Sequence, residues 1–145
     1  MTMTIRMTDP VATTFLKDVR HPLLALHRHI LDELRIRHEA EFGVVSPGEF
    51  LQIVINGSAY KWLGALSTLI AALDDVLDDA DATADARIDM AHAVTAMFGA
   101  LDRNASFDSQ YLPMLQTSPE IAMANGRVAQ QVRAVTPASA STAKD

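Results

Sequence analysis

The sequence contains no cysteine. That absence excludes a disulfide framework, thiolate metal sites and cysteine catalysis, and it fits a reducing compartment. Long apolar runs are missing too. The longest, Trp62 to Leu73, is 12 residues and is interrupted by Ser67 and Thr68, against about 20 for a helix that spans a bilayer. The opening M-T-M-T-I-R-M-T-D-P holds no apolar core for a signal peptide, so the chain reads as soluble and cytoplasmic, with no membrane partner. There is no basic stripe of the kind that displaces counterions from phosphates, which argues against nucleic-acid binding. No G-x-S-x-G turn, phosphate-binding P-loop or dinucleotide fingerprint occurs, nor any alternating strand pattern of useful length.

What is present reads as one all-α domain. A chain of 145 residues is long enough to bury roughly two-thirds of its unfolded surface around one core. Prolines follow possible capping residues at Asp9-Pro10, Ser46-Pro47 and Ser118-Pro119, with His21-Pro22 a poorer version. Because proline at a first helical position loses no needed hydrogen bond, each pair marks a helix start. The clearest is Ser46-Pro47-Gly48-Glu49, which has the spacing of a capping box.

This punctuation predicts a short helix from Pro10 to Val19, a long one from Pro22 to Phe42 closed by Gly43, and a third from Pro47 to Ile55 ended by Asn56-Gly57. Next comes the most apolar helical pattern, Ser58 to Asp81, capped by Ser58, around which the rest of the chain is expected to organise. Trp62, Leu63, Leu66, Leu69, Ile70, Leu73, Val76 and Leu77 share one broad face of it. Thr83 or a neighbouring aspartate begins an alanine-rich helix to about Leu101, with Met90, Val94, Met97, Phe98 and Leu101 on one face. A turn or two near residues 108–116, reset by Pro113, precedes a last helix from Pro119 to Val135, where Ile121, Val128, Val132 and Val135 form a narrow stripe suited to one partner. The expected architecture is a single-domain bundle of about four main helices and one or two short ones over residues 10–135. Residues 1–9 and 136–145 are expected to be disordered tails.

Charge is the most localised feature. Between residues 74 and 89 stand Asp74, Asp75, Asp78, Asp79, Asp81, Asp85 and Asp89 against Arg87, so this window carries the entire net charge of −6. Asp74 and Asp78 lie one helical turn apart, as do Asp75 and Asp79, so either pair has the spacing to share a divalent cation. The plain alternative is a solvated helix end. Against it, aspartates in a last turn oppose the helix dipole, and like charges at i,i+4 repel. A positive neighbour is therefore expected, and Lys17, Arg20 and Arg28 are candidates within the chain.

The string Asp74-Asp75-Val76-Leu77-Asp78 resembles the D-D-x-x-D element of prenyl diphosphate synthases, whose aspartates hold magnesium against diphosphate. Those enzymes are longer and carry a second acidic motif that this chain lacks. Asp79, Asp81 and Thr83 begin an EF-hand alternation, but Met90 occupies the closing glutamate position and the loop glycine is missing.

Histidine is the other candidate chemistry. His27 and His38 fall near one another on the helical wheel, on the face bearing Leu23, Ile30, Leu31 and Leu34. They are three turns apart, about 16 Å, and cannot chelate one ion together. Each reads first as a buried histidine satisfied by one hydrogen bond, with a metal or haem ligand or a pH switch as the functional alternative. His92 lies off the apolar face of its helix. Met90, Met97, Phe98, Trp62 and Tyr60 are core residues by spacing, or the lining of a pocket for a small apolar ligand.

The segments H21-P-L-L, S46-P-G-E-F-L-Q and L66-S-T-L-I resemble parts of small all-helical bacterial proteins of uncharacterised function. The resemblance runs from about Arg20 to Val132. It implies a helical domain and carries no activity, substrate or site residues. The leading expectation is a non-enzymatic protein-protein interaction or regulatory module that self-associates and presents the patch Asp74, Asp75, Asp78, Asp79, Asp81 and Asp85. No cofactor is expected beyond a possible divalent cation on Asp74, Asp75, Asp78 and Asp79. A bundle carrying a small apolar ligand or metal is the alternative, and a small metal-dependent enzyme using the aspartates is the third.

Overall fold

A computed structural model of the chain describes residues 7–99 and 105–136. Six α-helices and no strand occur among the described residues: α1 (Asp9–Phe42), α2 (Pro47–Asn56), α3 (Gly64–Asp78), α4 (Ala84–Phe98), α5 (Ala105–Thr117) and α6 (Pro119–Val135). A 3₁₀ segment, Ser58–Leu63, links α2 to α3. The expected tails lie largely outside the described residues, as does Leu101.

The central element is α1, not the Ser58–Asp81 stretch. It is one continuous helix of 34 residues, about 50 Å long, and it contacts α3, α4 and α6. Ala12, Phe15, Leu16, Val19, Leu23, Leu26, Ile30 and Leu34 are buried along it at three- and four-residue steps, so one stripe faces the core throughout. Pro22 therefore does not start a second helix. Proline removes one hydrogen bond, to the carbonyl of Asp18 four residues back, and crowds that turn. Asp18 is exposed, so water can satisfy its carbonyl, and buried Val19 and Leu23 on either side hold the helix in register. Thr8 is the cap, accepting from the Val11 N–H, and Asp9 is already the first helical residue.

The other main helices line up along α1. His27 meets Ser67 near the start of α3 while Arg20 meets Asp74 near its end, so α3 runs antiparallel to α1. Arg37 donates to Thr117 at the α5–α6 junction. At the opposite end of α1, Pro10 and Val11 share a cavity of about 380 Å³ with Ala134 and Val135, so α6 is antiparallel to α1 as well. Ile121, Ala124, Val128 and Val132 are the buried stripe of α6. That stripe is occupied by α1 within the chain and offers nothing to an outside partner.

Two further expectations change for packing reasons. Ser58 makes no capping hydrogen bond, and residues 58–63 wind as a 3₁₀ turn. Tyr60 there meets Phe50 of α2, ring centres 5.9 Å apart, while Trp62 meets Phe107 of α5 at 5.8 Å. Gly57 permits the joint, since a Cβ there would lie 2.6 Å from the Ile53 carbonyl. Residues 105–117 form a helix of 13 residues, longer than the turn or two expected near 108–116. Phe107, Tyr111 and Met114 are buried on one side of it, and Tyr111 stacks on Phe107 at 4.7 Å. The Tyr111 hydroxyl donates to Asn125 of α6. Pro113 sits on the exposed side, where a lost backbone hydrogen bond costs least. The ends of α2 and α6 fall where the proline and Asn-Gly signals put them, and the capping box of Ser46 and Glu49 is formed.

The continuity of α1 can be tested at Pro22. In a continuous helix, Pro22→Ala restores a hydrogen bond and relieves crowding, and it should raise stability by roughly 1–3 kcal/mol. If a helix began at residue 22, the same change would remove a favourable first-position proline and lower the urea midpoint.

Candidate functional site

The acidic window of the sequence occupies the turn between α3 and α4. Helix α3 ends at Asp78, and Asp79 leaves helical geometry with φ −88° and ψ 108°. Its side chain accepts from the Asp81 N–H at 2.8 Å and its carbonyl from the Ala82 N–H at 3.1 Å, and Thr83 then caps α4 through the Ala86 N–H at 3.0 Å. Aspartate and threonine thus serve as the local turn formers here.

The positive neighbour expected for the helix end lies in the same chain. Arg20 of α1 donates through Nε to Asp74 Oδ1. The hydrogen bond to Asp74, then the Asp74 charge and the more distant Asp78, push the guanidinium pKa above its ordinary value. Arg87 makes a stronger device. Its Nε and Nη2 reach Asp9 Oδ1 and Oδ2 at 2.7 and 2.8 Å, while Nη1 donates to the Ala82 carbonyl at 2.8 Å. This bidentate pairing, the favoured guanidinium–carboxylate geometry, ties the first turn of α1 to α4 and to the acidic turn at once. The Arg87 bond holds the Asp9 carboxyl below its ordinary pKa, and Thr13 adds a second donor. Sequence reasoning missed this role, because Asp9 and Arg87 are 78 positions apart and Asp9 read only as a helix cap.

Arg20 therefore answers for Asp74. Asp75, Asp78, Asp79 and Asp81 are exposed, and Asp85 is exposed at the start of α4. Beside them lies a surface depression of about 400 Å³ lined by Asp9, Thr13, Lys17, Val76, Leu77, Asp79, Ala80 and Arg87. Lys17 and Arg87 share it with Asp9 and Asp79, so its rim is of mixed sign. No group of three or more His, Asp or Glu side chains is gathered closely enough to hold a metal ion among the described residues. Asp74, Asp75, Asp78 and Asp79 are thus not gathered as a set of three or more ligands.

The histidines are held by local contacts. His27 is half-buried, and its Nε2 lies 2.8 Å from Ser67 Oγ. A serine–histidine contact is a reminder of nucleophilic catalysis, but Ser67 also leans on the Leu63 carbonyl of its own helix at 3.4 Å. Neither residue lines the two surface cavities described above. Burial lowers the His27 pKa below 6.5, which favours the neutral ring that a single hydroxyl contact can satisfy. The His38 ring lies between those of Phe42 at 4.9 Å and Phe50 at 5.7 Å, tilted by 38° and 53°. His92 Nε2 accepts from the Met7 N–H at 3.3 Å, so it meets the segment leading into α1. Met90, Met97 and Phe98 are buried core residues and line neither cavity.

No protein family, no curated protein and no solved structure matches this chain. Among the described residues, no helix is long and apolar enough to cross a membrane.

The state of His27 gives a pH dependence with a definite sign. A histidine whose pKa is lowered on folding binds fewer protons in the folded than in the unfolded chain, so stability rises with pH. Its contribution is complete above the unfolded value near 6.5 and is lost as pH falls below it. The urea midpoint should fall between about pH 7 and about pH 5, and His27→Gln, which keeps a partner for Ser67, should remove that part of the fall.

Proposed function

We propose that the protein is a non-enzymatic helical interaction module whose acidic end receives a lysine- and arginine-rich segment of a protein partner. One observation carries this reading. Asp75, Asp78, Asp79 and Asp81 are exposed at the α3–α4 turn, while Arg20 is engaged by Asp74 and Arg87 by Asp9. Carboxylates in the last turn of a helix oppose its dipole and one another, each by about a few tenths of a kcal/mol. Such a cluster is poor helix chemistry, and it makes sense as a surface whose use lies outside the chain.

The physics of recognition follows from the same geometry. Exposed carboxylates at one end of a −6 chain steer a basic segment toward that end, raising the association rate more than the final affinity. Val76 and Leu77, half-buried on the wall of the adjacent depression, supply apolar contact for the aliphatic stems of bound lysines or arginines.

The test is to change Asp75, Asp78, Asp79 and Asp81 together to Asn, leaving Asp74 and its Arg20 contact in place. Binding of a fluorescein-labelled Lys/Arg-rich peptide, read by anisotropy at about 0.15 M salt, should weaken by at least about tenfold, while the urea midpoint stays level or rises. A fall in stability would make the aspartates structural, and unchanged peptide binding would end the proposal.

A further inference from the structure

The acidic end is not the only surface left over by the fold. Helix α2, P-G-E-F-L-Q-I-V-I-N, gathers Glu49, Gln52 and Asn56 on one polar strip, and an apolar face as wide as the remainder ordinarily packs against neighbours on more than one side. Here only Phe50 is buried, under Tyr60 and beside His38. Leu51 and Ile55, one turn apart on the outer side, are 49% and 66% exposed; Phe42 at the end of α1 and Val44 in the following link are 70% and 90% exposed. The link is fixed, since Glu39 accepts from the Val45 N–H at 3.0 Å and Arg35 donates to the Val45 carbonyl at 3.1 Å. Gly43 turns the chain there with φ 96°, a conformation few side chains tolerate. The outward apolar groups are therefore held in place.

We infer that this end of the molecule is the interface of a twofold homodimer, in which α2, Phe42 and Val44 of one copy meet the same residues of a second. Three observations favour a second copy.

The first is that no other described residue covers the surface, since Phe42, Val44, Leu51 and Ile55 stay 49–90% exposed with every described element in place.

The second is charge. The only formal charge on α2 is Glu49, whose carboxylate is turned back onto the Ser46 N–H. The acidic turn sits at the opposite end, beside Asp9 and Lys17. Two copies joined through α2 hold their acidic ends beyond several Debye lengths of about 8 Å, whereas any joint at the acidic end sets like charges together. The third is area. A fully exposed large apolar side chain presents on the order of 200 Å², so the four present roughly 500 Å² per copy and about 1000 Å² across two, the lower limit for a specific association.

This goes beyond the reading of the acidic end and does not depend on it. Joined through α2, the dimer presents two acidic ends facing outward, so a basic partner with repeated segments would be held by both.

Sedimentation velocity of the untagged full chain over roughly 1–200 µM should show a monomer–dimer equilibrium. Leu51→Glu and Ile55→Glu, both at exposed positions, should each weaken it by about a hundredfold or more, since a substitution enters a twofold interface twice. The fourfold Asp→Asn variant of the acidic turn should dimerise as the wild type does, so loss of peptide binding and loss of dimerisation report separately. Should either glutamate variant lose its helical circular dichroism, the cysteine-free chain allows a second measurement. Under oxidation, Ile55→Cys should give a disulfide-linked pair rapidly, and Ala80→Cys should not. A wild-type chain that is monomeric throughout, dimerisation unchanged in both glutamate variants, cross-linking faster at residue 80 than at residue 55, or adsorption to phosphatidylcholine vesicles in place of self-association would each overturn the inference.

Discussion

Burial of one side of α1 is the interaction on which the other helices depend. Eight apolar side chains from Ala12 to Leu34 lie in a single stripe, and α3, α4 and α6 each use part of it to bury their own apolar faces. A helix of this length cannot be stable in water through its own hydrogen bonds when a proline interrupts it; tertiary burial supplies the stability. The consequence reaches the surface chemistry. Because the stripe fixes both register and rotation, Arg20, His27 and Lys17 on the flanks of α1 are set against Asp74, Ser67 and the α3–α4 turn.

That placement divides the acidic residues into two kinds. Asp9 and Asp74 are fastening points between helices, satisfied by Arg87 and Arg20. Asp75, Asp78, Asp79 and Asp81 contribute charge at an exposed turn without tying elements together, apart from the Asp79 side chain that shapes the turn itself. Exposed ion pairs contribute little to stability. The bidentate Arg87 contact is best understood as orienting the turn so that the remaining carboxylates face outward together. Chemistry at the opposite end is the reverse: α2 has little charge, thin packing and a firmly held link. The protein thus has one electrostatic end and one apolar end, with a rigid helix between them.

Much of the helical architecture is legible in the sequence because local rules decide it. The Ser46 capping box, the Asn56-Gly57 stop, the Thr83 cap and the Ser118-Pro119 start each involve residues within four positions of one another. At these four places tertiary packing leaves the local interaction intact. Pro22 and Pro113 misled because the cost of a proline inside a helix is a local quantity, while the burial that outweighs it is shared among partners far along the chain. Ser58 misled in the same way. The cap was available, but the aromatic contacts of Tyr60 and Trp62 accompany a tighter turn.

The localisation of charge was visible at once, and so was the need for a positive group near the end of α3, since both follow from composition and the direction of the helix dipole. Which base answers, Arg20 at Asp74 and Arg87 at Asp9, was decided by packing that joins positions 54 and 78 residues apart. Apolar stripes were equally readable, but not their fate. The narrow stripe of α6 disappears against α1, while α2 buries Phe50 and leaves Leu51 and Ile55 in solvent. Sequence by itself determined which residues want to leave water. Only the tertiary structure decided which of them are covered, because a buried face needs a neighbour at the right height along α1, and among the described residues α2 has none over Leu51 and Ile55.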